Sequence, residues 1–119
     1  MSSDMNILTY LEAATRAEGV RHKAIANNVA NLNTPGYRRY DVRFEEVLAK
    51  LIESGKKPDE ASLDAEFFQP KNTPVDANGN DVQLDAEVGE MVKNSLRHQA
   101  FVLLLKKKYD LLRTAIQTA

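Results

Sequence analysis

The chain is predicted to be mainly α: long N- and C-terminal helices packed as an antiparallel, coiled-coil-like pair, with a short strand, a short helix and an extended, partly irregular arm between them. Three observations predict this. Apolar side chains recur at three- and four-residue spacing from about Asp4 to Leu32, and again from Leu84 to the end of the 119 residues. Asn27, Asn28, Asn31 and Asn33, followed by Pro35-Gly36, end the first repeat. The stretch between the repeats is polar, acidic and interrupted by Pro and Gly.

The first helix carries one stripe at Leu8, Leu11, Thr15, Glu18, His22, Ile25, Val29 and Leu32, apolar at both ends and polar in the middle. A second stripe, of small residues, runs through Ala14, Ala17, Arg21, Ala24 and Asn28. Neither is a clean two-stranded seam, so this helix is expected to meet several neighbours.

The stop follows from side-chain chemistry. Asn competes with the helical backbone by bonding nearby main-chain groups and tolerates left-handed conformation, so the cluster favours a helix end. Pro35 pushes Thr34 to extended geometry, and Pro35-Gly36 suits the central positions of a type II turn with Gly36 at positive φ. The chain should leave the helix near Leu32 and turn sharply.

Beyond the turn, 37–44 alternates partly and predicts a short strand. A short helix is expected over 45–53, with Val47, Leu48, Leu51 and Ile52 on its apolar face, broken by Ser54-Gly55-Lys56-Lys57-Pro58. Residues 54–83 read as an extended or partly disordered arm with a strand at 66–69 and a hairpin at Asn78-Gly79. The expected divisions are therefore 1–36 (helix and turn), 37–83 (arm) and 84–119 (helix), the two helices making one core.

The C-terminal helix repeats Val88, Met91, Ser95, His98, Val102, Leu105, Tyr109, Leu112 and Ile116 at heptad spacing. Asp85 is the expected N-cap, and Glu87 and Glu90 suit the positive end of the helix dipole. Around Phe101 to Leu105 apolar residues circle the helix, which requires burial against more than one partner. The residues expected to carry packing between helices and subunits are Leu8, Leu11, Ile25, Val29, Leu32, Val88, Met91, His98, Val102, Leu105, Tyr109, Leu112 and Ile116.

Composition narrows the function classes. Cysteine is absent, which excludes disulfides, Cys-bearing zinc sites and thiol catalysis. The longest apolar run, Ala100 to Leu105, is far short of a membrane span. The N-terminus has no basic head or apolar core, so no cleaved secretory signal is expected. Charge is uneven: net +1 over 1–52, −7 over 53–90 and +5 over 91–119, a pattern that suits contacts between copies.

No chemical site emerges. Asp76, Asn78 and Asn80 occupy oxygen-ligand positions of a calcium loop with Glu87 at position 12, but Asp81 stands where Gly is needed and no helix precedes it. A tight turn leading into a capped helix explains the same residues. His22 and His98 are read as partly buried packing residues. Arg38-Arg39 and Lys106-Lys107-Lys108 lack the net basic domain and interleaved aromatics of a nucleic-acid binder. With no converging acid, base and nucleophile, no catalytic residue, metal ligand or cofactor is assigned, and the chain is not expected to be an enzyme.

Ala26-Asn27-Asn28-Val29-Ala30-Asn31-Leu32-Asn33-Thr34-Pro35-Gly36-Tyr37 resembles the ANN-x-AN-x-NTPGY signature of flagellar rod and hook proteins, matching at Ala26, Asn27, Asn28, Ala30, Asn31, Asn33, Thr34, Pro35, Gly36 and Tyr37. The following Tyr37 to Glu45, the stretch from Val75 to Glu87, Asn94 to Ala100 and the closing Leu111 to Ile116 resemble further segments of the flagellar basal-body rod family, nearest to its proximal subunits. His98 stands where Tyr is usual there. The short length is similar to proximal rod subunits, since distal members add a β-rich domain.

The resemblance implies a structural subunit that polymerises through its terminal helices into the axial drive shaft, transmits torque and encloses the export channel. It also implies type III export, a place in the periplasmic rod, and partners among copies of itself, other rod subunits and export-gate or adaptor components, with no nucleic acid and no membrane span. The alternative from a different class is a free-standing helical protein-binding or chaperone-like module, which would form a closed small oligomer.

Overall fold

The computed structural model describes residues 2–54 and 65–118. The first helix, α1, spans Ser2–Ala30, and the last, α3, spans Leu84–Thr118. Between them come β1 (Asp41–Arg43), α2 (Glu45–Ser54) and β2 (Glu66–Phe68). The molecule is a rod of 65 × 29 × 16 Å. At 1.5 Å per residue α3 alone is about 50 Å long.

The two long helices run antiparallel, as three pairs along their length establish. Asn28 bonds Glu87, Glu18 bonds Arg97, and Glu12 bonds Tyr109. On α1 the buried positions include Ala14, Ala17, Ala24 and Asn28, so the stripe of small residues is a buried one. Small side chains let neighbouring elements approach closely. The core cluster of Ala13, Ala14, Ala17, Phe44 and Leu51 accordingly admits Tyr10, Leu48, Ala65 and Phe101 against it.

α2 forms because Phe44, Leu48 and Leu51 place apolar groups on one face while Glu45 and Glu46 sit at its positive end. The side chain of Ile52 and all of 55–64 lie outside the described residues, including the break expected at 55–58. The strands are shorter than expected. β1 and β2 pair antiparallel in the register Asp41↔Phe68, Val42↔Phe67 and Arg43↔Glu66. Val42 is buried and Phe67 exposed, so this ribbon buries little and extends no further. The Arg43 guanidinium lies over the Phe68 ring at 3.9 Å, a cation–π contact between the strands.

Two expectations are adjusted in detail. α3 begins one residue before Asp85, whose carboxylate accepts from the Ala86 N–H. The Asn78-Gly79 pair does not make a two-residue hairpin between strands. The Gly79 N–H donates to the Asp76 carbonyl and the Asp76 N–H to the Asn80 carbonyl, which closes a three-residue loop with Gly79 at φ 84°.

Candidate functional site

The Asn-rich helix end, the Pro-Gly turn and the 76–82 loop meet in one polar elbow. α1 frays through Asn31–Asn33, where the Asn31 N–H is shared by the carbonyls of Asn27 and Asn28. The Tyr37 N–H then donates to the Thr34 carbonyl at 3.2 Å, and Gly36 has φ 73°, as a type II turn centred on Pro35-Gly36 requires.

This turn is clasped by the 76–82 loop. The Gly36 N–H donates to the Asn78 carbonyl at 2.8 Å, and the Asp81 N–H reaches the Tyr37 carbonyl at 3.4 Å. The Asn80 side-chain amide donates to the carbonyls of Asn31 at 2.9 Å and Thr34 at 2.8 Å, while its oxygen accepts from the Val82 N–H. Carbonyls exposed at the end of α1 are thus satisfied from across the chain. The backbones of the two glycine turns stack, since a Cβ on Gly79 would stand 3.4 Å from the Gly36 Cα.

Asn28 is the hub. Its side chain is fully buried and uses its whole hydrogen-bonding capacity. The oxygen accepts from the Tyr40 N–H and the Tyr37 hydroxyl, and the amide donates to the Tyr40 carbonyl and to Glu87. Asn27 donates to the Tyr37 hydroxyl from the helix surface. Burial raises the Tyr37 phenol above its ordinary pKa, with the Asn27 bond pulling the other way. Tyr37 and Tyr40 stack edge to face with centroids 6.3 Å apart.

Charge completes the clasp. Asp81 accepts from the Arg39 N–H at 2.6 Å and from the Arg38 guanidinium at 3.2 Å, and Glu87 accepts from the Arg39 guanidinium at 2.9 Å. Burial works against the Arg39 charge, but the bond to and charge of Glu87 outweigh it and raise the pKa. Farther along the rod, Glu18 holds Arg21 and Arg97, and Arg21 also pairs with Glu45 at the start of α2. One network therefore ties α1, α2 and α3 together.

The motif residues have distinct places. Asn28, Asn31, Thr34, Gly36 and Tyr37 take part in the elbow, Ala26 and Ala30 face outward, and Asn33 and Pro35 are exposed at the turn. Among the residues expected to pack, Leu8 and Ile25 are buried. Leu11, Val29, Leu32, Met91, Leu105 and Leu112 are half-buried. Val88, His98, Val102, Tyr109 and Ile116 are exposed in the single chain, as is His22.

Sequence reasoning missed Asn80, Asp81 and Glu87 as members of this elbow, having weighed them only as calcium-loop mimics and a helix start. It also missed Glu18 as the centre of a network, although its place in the polar middle of an apolar stripe signals it. The face of α3 that meets α1 runs through Glu87, Met91, Asn94, Phe101, Leu105 and Leu112, rotated from the heptad line and sharing Met91, Leu105 and Leu112 with it. The remainder of α3 exposes Leu84, Val88, Val92, Leu96, Val102, Leu103, Leu104, Leu111 and Ile116. Among the described residues, no helix is long and apolar enough to cross a membrane.

The family model described as flagella basal body rod protein matches residues 11–38, which run from the middle of α1 through the Pro-Gly turn. The chain is 29% identical over 125 residues to flagellar basal body rod protein FlgB of Bacillus subtilis, covering 98% of this chain and 97% of that protein. It is 30% identical over 108 residues to FlgB of Cereibacter sphaeroides, covering 82% and 83%. With FlgB of Proteus mirabilis it shares 25% identity over 131 residues, covering 94% of each. The helix end and Pro-Gly turn that make one half of the elbow lie within the residues the family model matches, and these relatives align with 82% to 98% of this chain: the chain belongs to the flagellar basal body rod proteins of the FlgB type.

Proposed function

We propose that this chain polymerises through its terminal helices to form part of the proximal rod, the axial shaft that transmits torque and encloses the export channel. The observation that carries the reading is the surface of α3. Leu84, Val88, Val92, Leu96, Leu103, Leu104, Leu111 and Ile116 stand exposed on one helix, an apolar area that a monomer does not cover. Phe101 is turned toward the core while Val102, Leu103 and Leu104 point elsewhere, so α3 offers contact surface on more than one side.

In this reading, Val88, His98, Val102, Tyr109 and Ile116 meet neighbouring copies or other rod subunits. Leu8, Leu11, Ile25, Val29, Leu32, Met91, Leu105 and Leu112 hold the helical pair. Contacts are heterologous, so that they propagate rather than close into a dimer. The elbow fixes the angle at which the chain beyond Tyr37 leaves the helical pair. Export by the flagellar type III apparatus, assembly in the periplasm and docking on export-gate or adaptor components belong to the same proposal.

Peptide mass spectrometry of detergent-purified basal bodies from the source cell tests it. The expected result is several copies of this chain co-purifying with the rod. Intact basal bodies without the chain would overturn the proposal and leave a soluble helical binding module, forming a closed small oligomer, as the better account.

A further inference from the structure

Asn78-Gly79 is the one Asn-Gly pair in the sequence, and it sits in the loop that clasps the elbow. An Asn followed by Gly is the pair least shielded against attack on the side-chain amide by the next backbone nitrogen, because Gly has no Cβ. We propose that Asn78 is a deamidation site guarded by the elbow: preserved where the clasp is closed, and converted to aspartate and isoaspartate in copies whose clasp is open.

The chemistry needs only water. The Gly79 nitrogen loses its proton and attacks the Asn78 side-chain carbonyl carbon, the side-chain amino group leaves as ammonia, and a succinimide ring closes. Water then opens the ring at either carbonyl. The product is aspartate or, when the backbone carbonyl is the one attacked, isoaspartate.

The loop is half prepared for this. The Asn78 side-chain oxygen accepts from the Asn80 N–H at 3.1 Å, which folds the amide over the following peptide and polarises it. Asn78 is exposed, so water reaches it. What withholds reaction is the nucleophile, because the Gly79 N–H is engaged by the Asp76 carbonyl at 2.9 Å. That bond is held in turn by the clasp: Asn78 carbonyl to Gly36 N–H, and Asn80 amide to Asn31 and Thr34. Releasing the clasp frees the Gly79 nitrogen and the backbone torsions that ring closure requires.

Conversion would be one-way, because ammonia is lost and the converted residue fits the clasp poorly. Isoaspartate adds a backbone atom at the residue whose carbonyl accepts from Gly36, and either product adds a negative charge between Asp76 and Asp81. The clasp of a converted copy would then not close as before.

The test incubates the full chain in mildly alkaline buffer, folded and in urea, and follows the Asn78 peptide by mass spectrometry with enzymatic isoaspartate labelling. The folded chain should deamidate at least about tenfold more slowly than the unfolded one. Asn80→Ala, shown by circular dichroism to stay helical, should fall between them. Gly79→Ala in urea should suppress the reaction by crowding the attacking nitrogen. Equal rates in folded and unfolded chains would overturn the proposal, as would an Asn80→Ala rate no faster than the parent or a Gly79→Ala rate unchanged in urea. If Asn80→Ala unfolds, a series of sub-denaturing urea concentrations replaces it, and a rate that fails to rise as the elbow opens is then the overturning result.

Discussion

Asn28 on α1 donates a side-chain N–H to the Glu87 carboxylate on α3 at 3.2 Å, with Asn28 at 0% and Glu87 at 1% exposure. The bond joins the last turn of one long helix to the first turn of the other. Its neighbours make it costly to break. Asn28→Ala would strip partners from the Tyr40 N–H and carbonyl as well as from Glu87, all in places water reaches poorly. Leaving such groups unpaired costs about 1–3 kcal/mol each before relaxation, so the variant should lose about 2–4 kcal/mol. Urea unfolding followed by circular dichroism checks this, with a lower midpoint and an unchanged slope as the expected result.

Gly36 and Gly79 should respond differently to alanine. Both have positive φ, where an L residue loses about 1–2 kcal/mol. At Gly36 nothing lies within 4 Å of the added Cβ, so the penalty is conformational alone. At Gly79 the Cβ meets the Gly36 Cα at 3.4 Å, an ordinary contact that leaves little room for the loop to relax. Gly79→Ala is therefore expected to destabilise at least as much as Gly36→Ala. The double variant should depart from additivity, since the two turns share one clasp. Chemical denaturation of the three variants gives the comparison.

Acid should weaken one tie selectively. Burial by itself would raise the Glu45 carboxyl, but the hydrogen bond and charge of Arg21 outweigh it and hold the folded-state pKa below the ordinary 4.5. A depressed carboxyl contributes stability that is fully present above its unfolded value and is lost as pH falls through the folded one. The stability difference between the parent and Glu45→Gln should accordingly stay constant from neutral pH down to about 4.5 and close below it. Glu45 is largely exposed, so the difference is small and should shrink further in high salt. Parallel urea titrations across pH, at two salt concentrations, provide the measurement.

The helices were legible because periodicity is a local signal: α1, α2 and α3 each begin and end within about two residues of the spans read from spacing and breakers. The type II turn was legible for the same reason, since Pro35-Gly36 admits few backbone conformations. The elbow's other half was not. Asn80 caps carbonyls 46 and 49 residues earlier, and nothing in the spacing of a polar loop says which distant backbone it will satisfy. The heptad line on α3 was real in sequence yet lies beside the face used within the chain, because that face also includes polar Glu87 and Asn94, which an apolar count passes over.

That offset separates two roles along α3 and can be tested by substitution. Phe101 packs against the Ala13, Ala14 and Ala17 cluster, so Phe101→Ala should destabilise the monomer by about 2–4 kcal/mol, somewhat below the roughly 3–5 kcal/mol of a fully buried ring because Phe101 is only half-covered. Leu96 and Leu103 are 62% and 59% exposed and belong to the outward face. Leu96→Asp and Leu103→Asp should change monomer stability by no more than about 0.5 kcal/mol, as expected for surface positions. If the outward face docks on neighbouring subunits, these same variants should reduce concentration-dependent association in analytical ultracentrifugation and impair motility when they replace the parent chain. Substitutions that leave both folding and association intact would mean that the exposed leucines are not the contacts. Variants that unfold the monomer would place Leu96 and Leu103 in the helical pair instead, and the heptad line would then have to account for the outward contacts by itself.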